Sequence, residues 1–240
     1  MSRHSPHLAL RLARGPADVE AAQALRHRVF VEELGARGAG PLERDAFDPR
    51  CRHLLLLDAL RGDRVVGTCR LLTEPPFASE AEFDVSPLLG SGLALLEVGR
   101  TCLDPAYRGG AALHRLWQGI AEVVEAEGVG LLFGLASFPG TDPAAHAQAF
   151  AGLMADHLAP ARLRPRSRAP APVPEVALDR RAVHAGTPAL IRAYLRMGGR
   201  VGEGSFVDHA FNCTDVCLVL ETAALPPLRR ALRAPMTGAR

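Results

Sequence analysis

Glu97 and Arg100 are the charged residues of an otherwise apolar run, Leu95-Leu96-Glu97-Val98-Gly99-Arg100-Thr101-Cys102-Leu103. A charge on such a run needs a partner. Residues three apart point to opposite faces of a regular strand, so the two need separate partners or a bulge between them. A purely structural ion pairing is the plain alternative to a site. Asp104-Pro105 ends the run, and Arg108-Gly109-Gly110 leads into a helix expected from about Ala111 to Glu127. A strand entering a helix through a Gly-rich turn offers backbone N–H groups to an anion. Asp45 and Asp48, in a polar stretch over 38–52, read either as loop carboxylates closing local turns or as ligands for a cation. Asp208, His209 and Asp215 read likewise as turn and strand-end residues or as site residues. Cys102, His114 and Asp104 lack the surroundings of a nucleophile triad. His146 and His157 share a face of an expected helix but have no third ligand, so no metal is expected.

The elements that must hold these residues follow from periodicity. Leu8, Leu10 and Leu12 alternate with Ala9, Arg11 and Ala13, as in a half-buried strand. Gly15-Pro16 then opens a helix expected to reach about Leu34, with Gly35 as its stop. Leu54–Leu57 and Val65–Leu72 are apolar runs on either side of Arg61-Gly62-Asp63, a hairpin signal. Further strands are expected over Leu93–Leu103 and Val129–Ser137, with a helix from Pro143 to His157. The order is β-α-β-β-β-α-β-α. The run 159–174 holds five Pro and four Arg with no acid, and reads as a loop or semi-rigid linker outside the core. A short helix near Pro188–Met197 and strands around Arg200–Asp208 and Asp215–Glu221 complete the pattern. In the tail, Leu225, Leu228, Leu232 and Met236 recur at helical spacing among arginines. That segment is either a terminal helix packed on the body or a cationic helix at a membrane surface.

Composition excludes several classes. All 28 basic residues of the 240 are Arg, against 26 acids, a net charge of +2. That is too little for a general nucleic-acid binder. The absence of Lys removes Schiff-base chemistry and the P-loop lysine. Five scattered cysteines with no C-x-x-C pair point to reduced thiols in the cytoplasm. No secretory signal is visible, and the longest apolar segment, 129–138, is too short to span a bilayer. Setting aside four Arg in 162–168 and four in the tail leaves 20 basic against 26 acidic side chains, an acidic body with two basic surfaces.

Several segments together carry a resemblance. Arg26-His27-Arg28-Val29-Phe30-Val31-Glu32-Glu33-Leu34-Gly35, Asp45-Ala46-Phe47-Asp48, Gly67-Thr68-Cys69-Arg70-Leu71-Leu72 and Glu97-Val98-Gly99-Arg100 resemble acyl-homoserine-lactone synthases and their relatives in the Gcn5-related N-acyltransferase superfamily. The segments 135–143, 194–199 and 207–216 are similar to the ornithine–acyl-carrier-protein N-acyltransferases, which make lyso-ornithine lipid. One departure is visible. The superfamily's pyrophosphate loop reads Q/R-x-x-G-x-G/A, whereas Arg108 is followed by Gly109-Gly110-Ala111-Ala112-Leu113. A reduced cradle suits a donor on acyl carrier protein, whose pantetheine arm carries a single phosphodiester, better than coenzyme A.

The resemblance implies an α/β fold with a mixed, mostly antiparallel central sheet flanked by helices. It places one N-acyltransferase domain over 1–221, including the Pro/Arg-rich loop, and a cationic tail over 222–240. The implied reaction moves a 3-hydroxy fatty acyl group from the 4'-phosphopantetheine of acyl carrier protein to the α-amino group of L-ornithine. No permanently bound cofactor and no nucleic acid are implied. The setting is bacterial and cytoplasmic, with peripheral contact to an anionic inner membrane through the tail. Glu97 would be the base, directly or through one water, with Arg100 beside it. A backbone N–H of the Leu95–Leu103 strand would hold the thioester oxygen. Asp45, Asp48, Arg70, Arg28 and Phe30 would line the acceptor side, the aspartates toward the cationic side chain and Arg70 or Arg100 toward the carboxylate. Cys102, Arg108, Gly109, Gly110, Ser137 and Phe138 would meet the donor. The four Arg of 162–168 would dock an acidic carrier. Alternatives are another amino-acid acceptor, an acyl-homoserine-lactone synthase, or a catalytically silent acyl-binding or membrane-surface adaptor.

Overall fold

The computed structural model describes residues 7–38, 40–108 and 111–224, which form two compact units interleaved along the chain. The Gly109-Gly110 pair and the tail from 225 lie outside the described residues.

The first unit comprises residues 7–72 and 98–128. Strands β1 (Leu8–Leu12), β2 (Arg52–Asp58) and β3 (Arg64–Leu72) pair antiparallel in chain order. A 3-10 turn and Gly62 at φ 65° close the β2–β3 hairpin where the sequence signalled it. Pairing shifts between Leu56 and Leu57, a bulge. Gly67 lies beside it, where a Cβ would come 2.6 Å from Leu103 Cδ2 and 3.2 Å from Leu56 Cβ, so that the Leu103 side chain would have to shift. Helix α1 (Pro16–Arg26) buries Ala22 and Leu25, with Val29 following, against Leu55, Leu57, Val65 and Cys102. The spacing of 22, 25 and 29 is one helical face meeting one face of β2. Helix α3 (Ala111–Glu127) buries Leu116, Ile120 and Val123, and the side chain of Leu54 crowds the position of its Gly119. Beyond Arg26 the coil widens into a π-helical segment, His27–Glu33, with Leu34 N–H bonding to Val29 O at 3.1 Å. Gly35, at φ 77°, ends it.

The second unit comprises Thr73–Glu97 and Val129–Ala224. Strand β6 (Leu131–Pro139) pairs parallel with Leu95–Glu97, the start of β5 (Leu95–Leu103), and antiparallel along its whole length with β10 (Cys213–Glu221). The short strands β8 (Arg200–Val201) and β9 (Phe206–Asp208) pair with β10. Both faces of β10 are buried. Helices α2 (Ser86–Leu89), α4 (Ala147–Asp156), α5 (Arg180–Gly186) and α6 (Ala189–Arg196) complete this unit, and a two-residue ribbon pairs β4 (Phe83–Asp84) with β7 (Arg166–Ser167). Pairing is thus mixed and mostly antiparallel, as expected.

Three expectations need correction. The helix expected from Pro143 begins as a 3-10 turn capped by Asp142, so His146 and His157 flank α4 instead of lying on it. Helix α5 was not anticipated, although Asp179 caps it by accepting N–H bonds from Arg181 and Ala182. The 159–174 run does not lie outside the core. Ala159 and Leu163 are wholly buried, and Ala159, Ser167, Arg168 and Ala171 donate backbone N–H bonds to Val201, Glu203, Glu82 and Ser205. No helix among the described residues is long and apolar enough to cross a membrane.

Candidate active site

In the first unit, Asp45, Asp48, Arg70 and Arg100 come together, joined by Arg26 and Glu43, which sequence reasoning passed over. The six charges alternate around a closed ring. Arg26 bonds Glu43 and, at 2.8 Å, Asp48. Arg70 bonds Asp48 at 3.0 Å and Asp45 at 2.6 Å. Arg100 bonds Asp45 at 3.1 Å and Glu43 at 3.2 Å. Each guanidinium therefore bridges two carboxylates and each carboxylate two guanidiniums, which a planar fork with five donors permits. Gln23 adds a 2.8 Å bond to Asp48, and the Phe47 N–H one of 2.8 Å to Asp45. Burial would push the Asp48 carboxyl up, but Arg26, with Arg70 and Gln23, outweighs it and holds the carboxyl well below the usual range. Asp45 is lowered in the same way, burial being outweighed by Arg70 and Arg100. The ring is buried except at one edge, where the side chains of Asp45 and Arg100 are 25% and 23% exposed.

Arg100 reaches this ring from a strand residue in the left-handed region, at φ 51°. That conformation costs a non-Gly residue roughly 1–2 kcal/mol and breaks the regular alternation of β5. Glu97 and Arg100 accordingly have separate partners, as their spacing required.

In the second unit, Glu97 is buried, 5% exposed, and its partners are main-chain groups. Oε2 accepts the Ala78 N–H at 2.8 Å and Oε1 the Ser79 N–H at 2.7 Å. These donors open a 3-10 turn, Ala78–Ala81, closed by the Phe77 N–H to Glu80 carboxylate bond of 2.7 Å. Arg168 Nε donates to the Glu80 carbonyl at 2.7 Å, so the Pro/Arg-rich run braces the turn that holds Glu97. No salt bridge reaches Glu97 among the described residues. A carboxylate has about four acceptor positions; two are filled, and one on each oxygen remains for a proton donor. Phe133, directly opposite Glu97 in the parallel pairing, packs edge-on against Phe77 with centroids 4.9 Å apart.

The other predicted residues divide. Arg28 is half-buried on the π-helical segment and has no carboxylate partner among the described residues; the neighbouring His27 takes Glu32 instead, at 3.3 Å. Phe30 packs against the α1 core. The Cys102 side chain is core, its thiol pushed up to about 12 by burial, which leaves its main chain as the part able to meet a donor. His114 contacts Gln118 while Asp104 pairs with Arg64, so no triad forms around Cys102. Arg108 is engaged by Glu33 through two bonds of 2.5 and 2.7 Å and by the Leu103 carbonyl. Gly109 and Gly110 lie outside the described residues. Phe138 is wholly buried against Phe150 and His146, a packing role rather than a surface for a donor.

Ser137 is exposed and hydrogen-bonds Asp215, directly opposite it in the β6–β10 register. Asp208, Cys213 and Asp215 bring oxygen and sulfur atoms within 4.8 Å of one another, and burial raises the Asp215 carboxyl. His209 is exposed. The basic docking surface expected over 162–168 is largely neutralised: Arg162 pairs with Glu221 at 2.9 Å, and Arg164 and Arg166 with Glu203 at 3.6 and 3.4 Å. The acids are absent from the local sequence because Glu203 and Glu221 lie far along the chain.

A family model described as an acetyltransferase (GNAT) domain matches residues 25–118. The chain is 48% identical to an L-ornithine N(alpha)-acyltransferase of Rhodobacter capsulatus, over 92% of each chain. It is 38% identical to a protein of the same description from Agrobacterium fabrum, over 91% of this chain and 82% of that one. Among solved structures, FeeM, an N-acyl amino acid synthase from uncultured soil microbes, superposes with a TM-score of 0.56 at 11% identity, covering 90% of this chain and 92% of that one. The AHL synthase LasI superposes with a TM-score of 0.54 at 14% identity, over 98% and 99%. At such identities these two structures speak for the fold alone.

Proposed function

Since the chain belongs to the family of L-ornithine N(alpha)-acyltransferases, amide-forming enzymes of the GNAT fold, we propose that it transfers a 3-hydroxy fatty acyl group from acyl carrier protein to the α-amino group of L-ornithine, with Glu97 as general base. The observation that carries the assignment of the base is the setting of Glu97: buried, fixed by two neutral N–H donors, and met by no arginine among the described residues that would tie up its remaining lone pairs.

The chemistry follows from charge. An α-ammonium has no lone pair, so one proton must leave before nitrogen attacks the thioester carbonyl. Glu97 takes that proton and returns it to solvent. The C–N bond forms as the carbonyl oxygen gains charge, which a main-chain N–H of β5 stabilises. Collapse breaks the C–S bond, and the second amine proton goes to the departing thiolate. The products are one amide, one thiol and one released proton.

Ornithine brings two ammonium groups and one carboxylate. For the carboxylate we assign Arg28, because Arg70 and Arg100 are committed to the ring while Arg28 has no carboxylate partner among the described residues. Asp45, at the exposed edge of the ring, keeps a role toward the acceptor, whereas Asp48 is saturated and frames the site. The incomplete pyrophosphate loop and the engagement of Arg108 by Glu33 support a donor on acyl carrier protein over coenzyme A.

The test is direct. The purified protein is incubated with 3-hydroxyacyl groups on carrier protein or on coenzyme A, and with ornithine, other amino acids or S-adenosylmethionine; products are read by mass spectrometry. N-α-acylornithine from the carrier-protein donor is expected. A faster reaction from coenzyme A overturns the donor, a product on another amine overturns the acceptor, and no amide with any amine overturns the enzymatic reading.

A further inference from the structure

Ser79 is wholly buried, and its backbone N–H is one of the two groups holding Glu97. Its hydroxyl differs from the amide beside it: Oγ is out of contact with solvent and has no hydrogen-bond partner among the described residues. A buried hydroxyl without a partner is uncommon and destabilising. It is tolerated where a bound water or a ligand completes it. The neighbourhood does not otherwise call for a hydroxyl. Phe77 precedes it in the turn, Phe133 faces Glu97 across the pairing, and Cys217 is a fully buried thiol that burial, and then the nearby Glu97, push upward. Alanine would fill such a place at no polar cost.

Covalent geometry sets what the hydroxyl can serve. Oγ is three bonds from the Ser79 nitrogen, hence roughly 3–4 Å from it, and that nitrogen is 2.7 Å from Glu97 Oε1. The hydroxyl is therefore within one water of the carboxylate while making no direct bond to it. With Glu97 only 5% exposed, an acceptor of amino-acid size meets a narrow edge of the carboxylate at most. A water between the two groups would find two of the partners it needs already in place.

We propose that Ser79 is a positioning residue for catalysis: its hydroxyl and Glu97 Oε1 together hold the water through which the acceptor's α-ammonium passes its proton to Glu97. This rests on Glu97 being the base. The water accepts a proton from the ammonium and gives one of its own to the carboxylate, so it leaves the step unchanged while its orientation is fixed by the serine.

The test compares Ser79→Ala and Glu97→Gln with the wild type. Replacing an orphaned hydroxyl by hydrogen should leave the melting temperature unchanged or raise it, and leave KM for both substrates within about twofold. The kcat should fall roughly 10- to 100-fold, the scale of a misplaced reacting group, with a larger solvent deuterium isotope effect as proton transfer comes to limit the rate. A Ser79→Ala enzyme with wild-type kcat, while Glu97→Gln is inactive, overturns this inference and leaves Glu97 as base. A Glu97→Gln enzyme at the wild-type rate removes the base and the relay together. A Ser79→Ala protein that fails to fold shows that the hydroxyl had a structural partner and overturns the proposal as well.

Discussion

The molecule buries carboxylates in two contrasting ways. In the first unit Glu43, Asp45 and Asp48 alternate with Arg26, Arg70 and Arg100, every acid matched by guanidinium groups. In the second, Glu97 is buried as deeply but is held by two peptide N–H groups and meets no cation among the described residues. A carboxylate locked between guanidiniums is a poor base, because taking a proton breaks ionic bonds on both sides. One held by fixed neutral dipoles keeps lone pairs for a proton and an ammonium for company. The same residue type is thus spent on ion pairs in one unit and left with open lone pairs in the other.

Replacement of Glu97 breaks the comparison most severely. Glu97→Gln should lower kcat by roughly 10²- to 10⁴-fold, the usual contribution of a general base, measured as acylornithine formed per enzyme. It should also lose about 1–3 kcal/mol of stability in chemical denaturation, because the new NH₂ faces one of the Ala78 or Ser79 N–H groups. An enzyme of near wild-type rate would make Glu97 as structural as Asp48. Next in size is Arg26→Met. Removing one member of a buried ion network leaves uncompensated charge, and should cost about 3–5 kcal/mol in the same denaturation assay. The fraction that remains folded should turn over at close to the wild-type rate.

Much of this contrast was legible in the sequence and part of it was not. The periodicity of Leu8–Leu12, Leu54–Leu57, Val65–Leu72 and Ala111–Glu127 led to elements found within a few residues of those bounds, because each alternates or turns one apolar face to a core. Glu97 and Arg100 stood out as charges on an apolar strand, and their need for separate partners was met. Arg26 escaped notice because an arginine within an amphipathic helix reads as solvent-facing; only the fold shows it buried beneath Glu43 and Asp48. The 162–168 arginines read as an open basic surface because Glu203 and Glu221, which neutralise most of it, lie some 40 to 60 residues later. The turn that holds Glu97 left no pattern, since its contribution is main-chain N–H groups that every residue but proline carries.

Acid sharpens the comparison from the side of the ring. Asp45 and Asp48 are held below their ordinary values in the folded protein, while an unfolded Asp titrates near about 3.9. The unfolded chain therefore binds protons first as pH falls. The stability these two groups contribute is full above about pH 5, begins to decline as pH drops through the unfolded value, and is lost toward the folded ones. Denaturation midpoints should fall steeply below about pH 4 in the wild type and more gently in Arg26→Met, where Asp48 has lost the guanidinium that lowers it most. Equal slopes would show that Arg26 does not set the titration of the ring.

The smallest effect isolates the strand distortion that lets Arg100 leave the line of Glu97. Arg100→Ala loses the bonds to Glu43 and Asp45 but keeps a side chain at φ 51°. Arg100→Gly loses the same bonds and relieves that conformation. Glycine should therefore be the more stable variant by about 1 kcal/mol, partly offset by the greater freedom it gives the unfolded chain. The ordering would be unusual inside a strand, where glycine ordinarily weakens pairing, and a denaturation series on the two variants reads it directly. If alanine proves the more stable, residue 100 is extended in solution. The ring must then be reached by the length of the arginine alone, and the left-handed backbone at Arg100 is not what brings its guanidinium to Glu43 and Asp45.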